Sequence, residues 1–304
     1  MALQVGQHLW YNSPGMKQWT RSLFGSEKTH NSQPPIRGSV IGQIALNGVI
    51  RLSKRTSSQF LNGALRWAKR AISHPTRLVR YSVKSVDLIV RMTDPLPFKK
   101  LANPHYMEFL TDLTQALVDH NPNLSVTVLG AKSGTFVPYI RPVGNFNILA
   151  IEPNPSDFRI LNRNMLPIPN VSTSNEMTPA SDIAPNLRIV VISASSDPLT
   201  ALPHFVGALQ SGVPVIVIEV NPVTLPTGPF LELIDHMATK GYSAVATFDT
   251  LSYFHLSCDI SHSETLSDIH HYFKRISTTY FMVLGPTQDE AITSAFCCTQ
   301  RSKR

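Results

Sequence analysis

The turn Gly130-Ala131-Lys132-Ser133-Gly134 and the carboxylate Glu152, one strand further on, have the spacing best suited to ligand chemistry in this sequence. Glycines let a backbone approach a ligand closely, and a carboxylate on a neighbouring strand accepts hydrogen bonds from ribose hydroxyls. Many α/β domains use the same Gly-x-x-x-Gly pattern only to pack a helix on a strand, so the turn alone names no ligand. Asp197 and Glu219 are further carboxylates at expected strand ends, where a base would stand. Other reactive residue types lead elsewhere. His270 and His271 are adjacent on an expected helix and point in different directions, which argues against a two-His metal site. Cys297-Cys298 lies in a short apolar tail where burial suits a free thiol. Ser302-Lys303-Arg304 has the wrong last residue for a peroxisomal signal. No nucleophile elbow, phosphate-binding P-loop or His-Glu-x-x-His is present, and no metal site is expected.

The elements that must hold these residues follow from hydrophobic periodicity. Tyr106, Phe109, Leu110, Leu113 and Leu117 predict an amphipathic helix. Short apolar runs predict strands at 125–129, 147–151, 188–193, 213–219, 244–248 and 278–284, with helices at 156–165, 200–210 and 230–240 between them. Gly212 and Gly241 end two of those helices. Strands of this kind alternating with helices predict a mostly parallel sheet covered on both faces. Ligands of such sheets lie beyond the carboxyl ends of the strands, where strand order reverses, and both the glycine turn and Glu152 are placed there.

The stretch Val128-Leu129-Gly130-Ala131-Lys132-Ser133-Gly134, followed by Ile151-Glu152-Pro153-Asn154-Pro155 and then Phe158, Leu161 and Asn164, resembles the FkbM family of S-adenosylmethionine-dependent methyltransferases. That family reads Asp-x-Gly-Ala-Asn-x-Gly at the first turn and Phe-Glu-Pro-Asn-Pro, then Phe, Leu and Asn, at the second. Lys240-Gly241-Tyr242 is similar to a later segment of the family, and the likeness spans roughly residues 105–285. The resemblance implies a Rossmann-like class I methyltransferase sheet with helices on both faces. It also implies S-adenosylmethionine as cofactor, held by Gly130, Ala131, Ser133, Gly134 and Glu152.

The departures from the pattern point toward loss of that cofactor. Val128 stands where the family has the Asp that holds the cofactor's polar end, and Lys132 stands where it has Asn. Valine accepts no hydrogen bond, and a lysine ammonium at ~4 Å from a sulfonium costs about 1–4 kcal/mol depending on screening. The family's Asp-x-Glu-Gly-x-Glu aligns with Ser193-Ala194-Ser195-Ser196-Asp197-Pro198, which retains only Asp197, one place away.

The whole chain has 304 residues, 42% of them hydrophobic and 15% charged, with a net charge of +7. This excludes wholesale disorder, a disulfide framework built on three cysteines, and a bundle of membrane helices. The charge is unevenly placed. Residues 1–100 carry sixteen Lys and Arg against three acids, a balance of +13, whereas the remainder balances at −6. Phe60, Ala64, Leu65, Ala68, Ala71 and Ile72 predict a helix flanked by Arg66, Lys69 and Arg70. Val79, Val83, Val86 and Val90, at 4-3-4 spacing, predict a second helix with Arg77, Arg80 and Lys84 on other faces. Asp94-Pro95-Leu96-Pro97 closes it, giving an N-terminal arm at 1–95 and a methyltransferase-like domain at 96–304. Three readings of the arm stand side by side. Its first part suits a mitochondrial targeting segment. Its basic residues interleaved with Trp10, Trp19, Phe24 and Trp67 suit contacts to RNA or anionic lipid. Its helices also suit a protein partner.

The expectation is therefore a methyltransferase-fold protein without activity, a structural or interaction subunit of a larger mitochondrial assembly (a ribosome or a respiratory complex), with a cytoplasmic home as the alternative. The rival expectation is a working methyltransferase that transfers the methyl to oxygen or nitrogen, with Asp197 or Glu219 as base.

Overall fold

Alternating burial, rather than a helical stripe, organises residues 78–91 of the computed structural model. The model describes residues 47–48, 78–91, 94, 96–176, 186–206 and 214–286. Strands β1 (Leu78–Val83) and β2 (Val86–Arg91) form a two-stranded hairpin. Val79, Tyr81, Val83, Leu88 and Val90 are buried, a period of two. Lys84 and Ser85 both have positive φ, 45° and 69°, which is the backbone of a two-residue type I′ turn. The helix expected over Val79–Val90 is thus a hairpin. The expected helix around Phe60–Ile72, with Arg66, Lys69, Arg70 and Arg77, lies outside the described residues, as do Trp10, Trp19, Phe24, Trp67, Gly212, Cys297, Cys298 and Ser302–Arg304.

The chain divides into two compact units, Met1–Tyr81 with Ile89–Ala102, and Ser82–Leu88 with Asn103–Arg304. Helix α1 (Leu96–Ala102) belongs to the first unit. The second contains α2 (Glu108–His120), β3 (Ser125–Leu129), α3 (Val137–Ile140), β4 (Asn147–Ile151), α4 (Pro155–Met165), β5 (Val171–Ser174), β6 (Leu187–Ile192), α5 (Pro198–Val206), β7 (Val215–Val220), α6 (Thr227–Thr239), β8 (Tyr242–Asp249), β9 (Phe254–Asp259), α7 (Ser263–Arg275) and β10 (Tyr280–Pro286).

Eight of these strands form one sheet in the order β5-β4-β3-β6-β7-β10-β8-β9. The pairs β4–β5, β3–β4, β3–β6 and β6–β7 are parallel. β10 is inserted antiparallel between β7 and β8, and β9 adds an antiparallel edge. Five parallel strands wound out from β3 in both directions, followed by a reversed strand slotted inside the last parallel one, make the Rossmann-like class I methyltransferase sheet. The order reverses between β3 and β6, and that switch places the carboxyl ends of β3, β4 and β6 around one crevice.

Helices cover both faces, as a sheet with apolar residues on each side requires. On one face Phe109 of α2 stacks on Phe248, with ring centroids 4.8 Å apart, and tilts against Phe281 at 4.9 Å. On the other, Phe230, Leu233, Ile234 and Met237 of α6 and Leu266 and Phe273 of α7 join Ile192, Ile216, Ile218 and Met282 in one core. The loop after α3 is fastened by Arg141, whose guanidinium donates to the carbonyls of Phe146 (2.9 Å), Pro169 (3.1 Å) and Gly144. No helix among the described residues is long and apolar enough to cross a membrane.

Candidate functional site

The turn after β3 is built on three left-handed residues, Gly130 (φ 63°), Lys132 (φ 50°) and Gly134 (φ 88°). A Cβ on Gly134 would run into the Met165 and Leu161 side chains of α4. A Cβ on Gly130 would collide with Ser196 Oγ and come within 3.0 Å of Ser195 Oγ. The first contact is the helix packing that such a turn commonly serves. The second comes from the loop after β6, which brings two serine hydroxyls against Gly130. That loop is held by Ser193 N–H donating to Leu129 C=O (3.0 Å) and Ser196 N–H to Ser193 C=O (2.9 Å).

Glu152 stands at the end of β4 and is only 6% exposed. Its Oε2 accepts from Lys132 N–H at 2.8 Å and its Oε1 from Asn154 N–H at 2.8 Å. Both oxygens therefore tie the two strand-end turns to each other. Asn154 caps α4 by accepting from the Ser156 and Asp157 N–H groups, with Pro155 at the first helical position. Asn164, on the buried face of α4, donates to Ser133 C=O at 2.7 Å. The segment from Glu152 to Asn164 thus works as a brace: its carboxylate, its cap and its amide all hold the glycine turn. Phe158, expected to face inward with Leu161, is half-buried, while Leu161 is fully buried.

Structure brings together all five residues expected at a cofactor. Gly130 lies under the serine loop, Ala131 and Ser133 are buried, Gly134 is sealed against α4, and Glu152 is engaged by backbone. Val128 is fully buried in β3, so the position that would carry the family's carboxylate adds to the core. Among the described residues no carboxylate pairs with the ammonium of Lys132.

Of the two carboxylates expected as a base, Asp197 caps α5, accepting from Leu199 N–H (3.2 Å) and from Thr200 Oγ1. Glu219 accepts from Ser193 Oγ and Ala194 N–H, each at 3.1 Å, through Oε2. It borders a cleft of about 330 Å³ at the carboxyl ends of β6 and β7, shared with Ser195, Asp197, Asn221, Thr224 and Leu225. Sequence reading did not single out Asn221, Thr224 or Leu225. Their only signal was position, in the turn that follows a buried strand.

Two of the residues assigned to a basic arm fall within the described chain. Arg80 is exposed on β1. Lys84 does not project from a helix; it sits in the hairpin turn, its ammonium 2.6 Å from Glu108 and 3.0 Å from Thr111 Oγ1, above the ring of Tyr139. No group of three or more metal-ligating side chains occurs among the described residues. His270, on α7, is fully buried: its Nδ1 lies 3.1 Å from the Tyr280 hydroxyl and its ring stacks on Phe230 at 4.3 Å. Burial, with lesser contributions from His271 and Lys274, pulls its pKa down to about 4. It is a core residue.

Strand order, with one reversed strand inside the last parallel one, defines a Rossmann-like α/β domain. No family model matches the chain, and no curated protein matches it in sequence. Among solved structures it is similar to a precorrin-6y C5,15-methyltransferase from Geobacter metallireducens, with 17% identity over 59% of this chain and 87% of that one and a TM-score of 0.38. It is also similar to an rRNA methylase from Streptococcus thermophilus (11%, 60% and 93%, TM-score 0.41). A third is the plantazolicin methyltransferase in complex with SAH (11%, 62% and 88%, TM-score 0.38). At these identities the likeness is one of fold alone.

Proposed function

We propose that this chain is an FkbM-like methyltransferase-fold protein that has given up S-adenosylmethionine and acts as a structural or interaction subunit of a mitochondrial assembly, a ribosome or a respiratory complex. The observation that carries the reading is the crowding at the β3–β6 switch. Ser195 and Ser196 lie against Gly130, and the two oxygens of Glu152 serve backbone amides of the protein itself. A cofactor seated there would displace the serine loop and compete for the Glu152 carboxylate, and Val128 offers it no acceptor. With no fit for the group, no methyl-transfer step is assigned to any residue.

The basic front third is the part that would engage the assembly, through protein contacts, RNA phosphates or anionic lipid headgroups, because a +13 segment attracts polyanions by charge alone. A working methyltransferase is the competing reading. What favours it is the open cleft beside Glu219; what weighs against it is that Asp197, the other candidate base, spends both oxygens on the cap of α5.

Calorimetric titration of the full chain with S-adenosylmethionine up to millimolar concentrations tests the reading. The expected result is no heat of binding from protein shown to be folded by circular dichroism. Micromolar binding would overturn the loss of cofactor and return the enzyme reading to the front.

A further inference from the structure

Ser195 and Ser196 crowd Gly130 at the β3–β6 switch, and the next position along the same edge of the sheet holds a cleft. Between the carboxyl ends of β6 and β7 a cleft of about 330 Å³ is walled by the serine loop on one side and the Asn221–Leu225 turn on the other. Its polar side holds Glu219, whose Oε2 is engaged by Ser193 and Ala194. Among the described residues nothing donates to its Oε1. Asn221, which also lines the cleft, uses its Oδ1 to accept from Val223 N–H at 3.1 Å. Val220, Leu225 and Pro198 supply an apolar wall. Among the described residues no Lys, Arg or His lines the cleft, while two carboxylates do.

We propose that this cleft binds an ammonium or guanidinium group carried on a short aliphatic stem. The charge asks for a cation: Glu219 keeps a free oxygen and no basic side chain neutralises it. The lining asks for a stem, because Pro198, Val220 and Leu225 share the cleft with the carboxylates. Its volume of about 330 Å³ is ample for one side-chain-sized group. A charge-assisted hydrogen bond to Glu219 Oε1 would be the anchor, and burial of three or four methylenes on the apolar wall would add to it. The chemistry is common to two sources, a free small amine and a Lys or Arg side chain presented by a polypeptide. This inference does not rest on the loss of the cofactor, since none of the five residues expected to hold S-adenosylmethionine lines the cleft.

The test uses the full chain with isotope-labelled methyl groups, followed by NMR at Val220 and Leu225. Titration with n-butylguanidinium should shift these signals, and n-butanol, of matching stem and no charge, should not. Glu219→Gln keeps an acceptor for Ser193 and Ala194 and should weaken n-butylguanidinium by about tenfold or more. Glu232→Gln, on the outer part of α6, should leave it unchanged. If Glu219→Gln fails to give a native spectrum, Ala194→Leu, which narrows the cleft, should weaken binding likewise. N-acetyl-arginine amide distinguishes the sources: binding equal to n-butylguanidinium points to a polypeptide side chain, exclusion to a free amine. Equal shifts from n-butanol, or retention of affinity within twofold in the variants, would overturn the proposal.

Discussion

At the scale of single residues, Glu152 shows that a residue of a ligand-type motif can carry structure as well. A carboxylate that accepts two backbone N–H groups is doing structural duty, because each orphaned buried donor costs about 1–3 kcal/mol. The same applies to Asn164, whose amide is spent on Ser133 C=O. Substituting Glu152 with Gln leaves one acceptor oxygen and turns an NH2 toward the other backbone donor. Urea denaturation should therefore show Glu152→Gln destabilised by about 1–3 kcal/mol. A residue kept only for ribose hydroxyls would show no such loss without ligand, so an unchanged midpoint would count against the brace. The residues that drew attention in the sequence, Gly130, Gly134, Glu152, Asn154 and Asn164, do converge in space, because the first four follow the ends of β3 and β4 and Asn164 reaches the same turn from α4. What their types did not reveal was the direction of their hydrogen bonds, nor that Ser195 and Ser196 would lie over Gly130. Both depend on contacts between loops far apart in sequence.

At the scale of elements, packing decides questions that periodicity leaves open. Val79, Val83, Val86 and Val90 fit a helical stripe, but a two-residue turn at Lys84-Ser85 flips the parity between two strands and gives the same spacing. The usual Asn-Gly signal of such a turn is missing, which is why the hairpin was not legible. The edge strands β5 and β9 were missed for a related reason. They are half-exposed and lack the continuous apolar run of β3, β6 and β7, whose ends sequence placed within about two residues. The contact of α7 with α6 and β10 has its own consequence. His270 is buried neutral between Phe230 and Tyr280, with its pKa near 4 against 6.5 in an unfolded chain. As pH falls from 6.5 to about 4 the unfolded chain binds a proton that the folded protein refuses. The stability present above pH 6.5 should therefore decline across that window, by at most about 3 kcal/mol, and level off below it. Denaturation midpoints measured through this range should show the decline, and His270→Phe should flatten that part of it.

At the scale of the whole molecule, the two halves of the charge distribution call for different partners. Residues 101–304 balance at −6, whereas residues 1–100 hold +13. The ammonium of Lys84 is paired with Glu108. It should contribute little to a surface that attracts polyanions. If the assembly offers RNA, affinity should fall steeply with salt, because each phosphate neutralised releases a counterion and adds ~0.7–0.9 to the slope of log K against log salt. Full chain titrated with a structured RNA at several salt concentrations should show such a slope. Replacing Arg66, Lys69, Arg70 and Arg77 with Gln should then reduce it by about 3 to 4, while Lys84→Gln should leave it nearly unchanged. A binding constant indifferent to salt would remove RNA as the partner. The same titration with vesicles of anionic and of neutral lipid would then separate a membrane surface, which keeps the salt dependence, from a protein partner, which gives binding to neither.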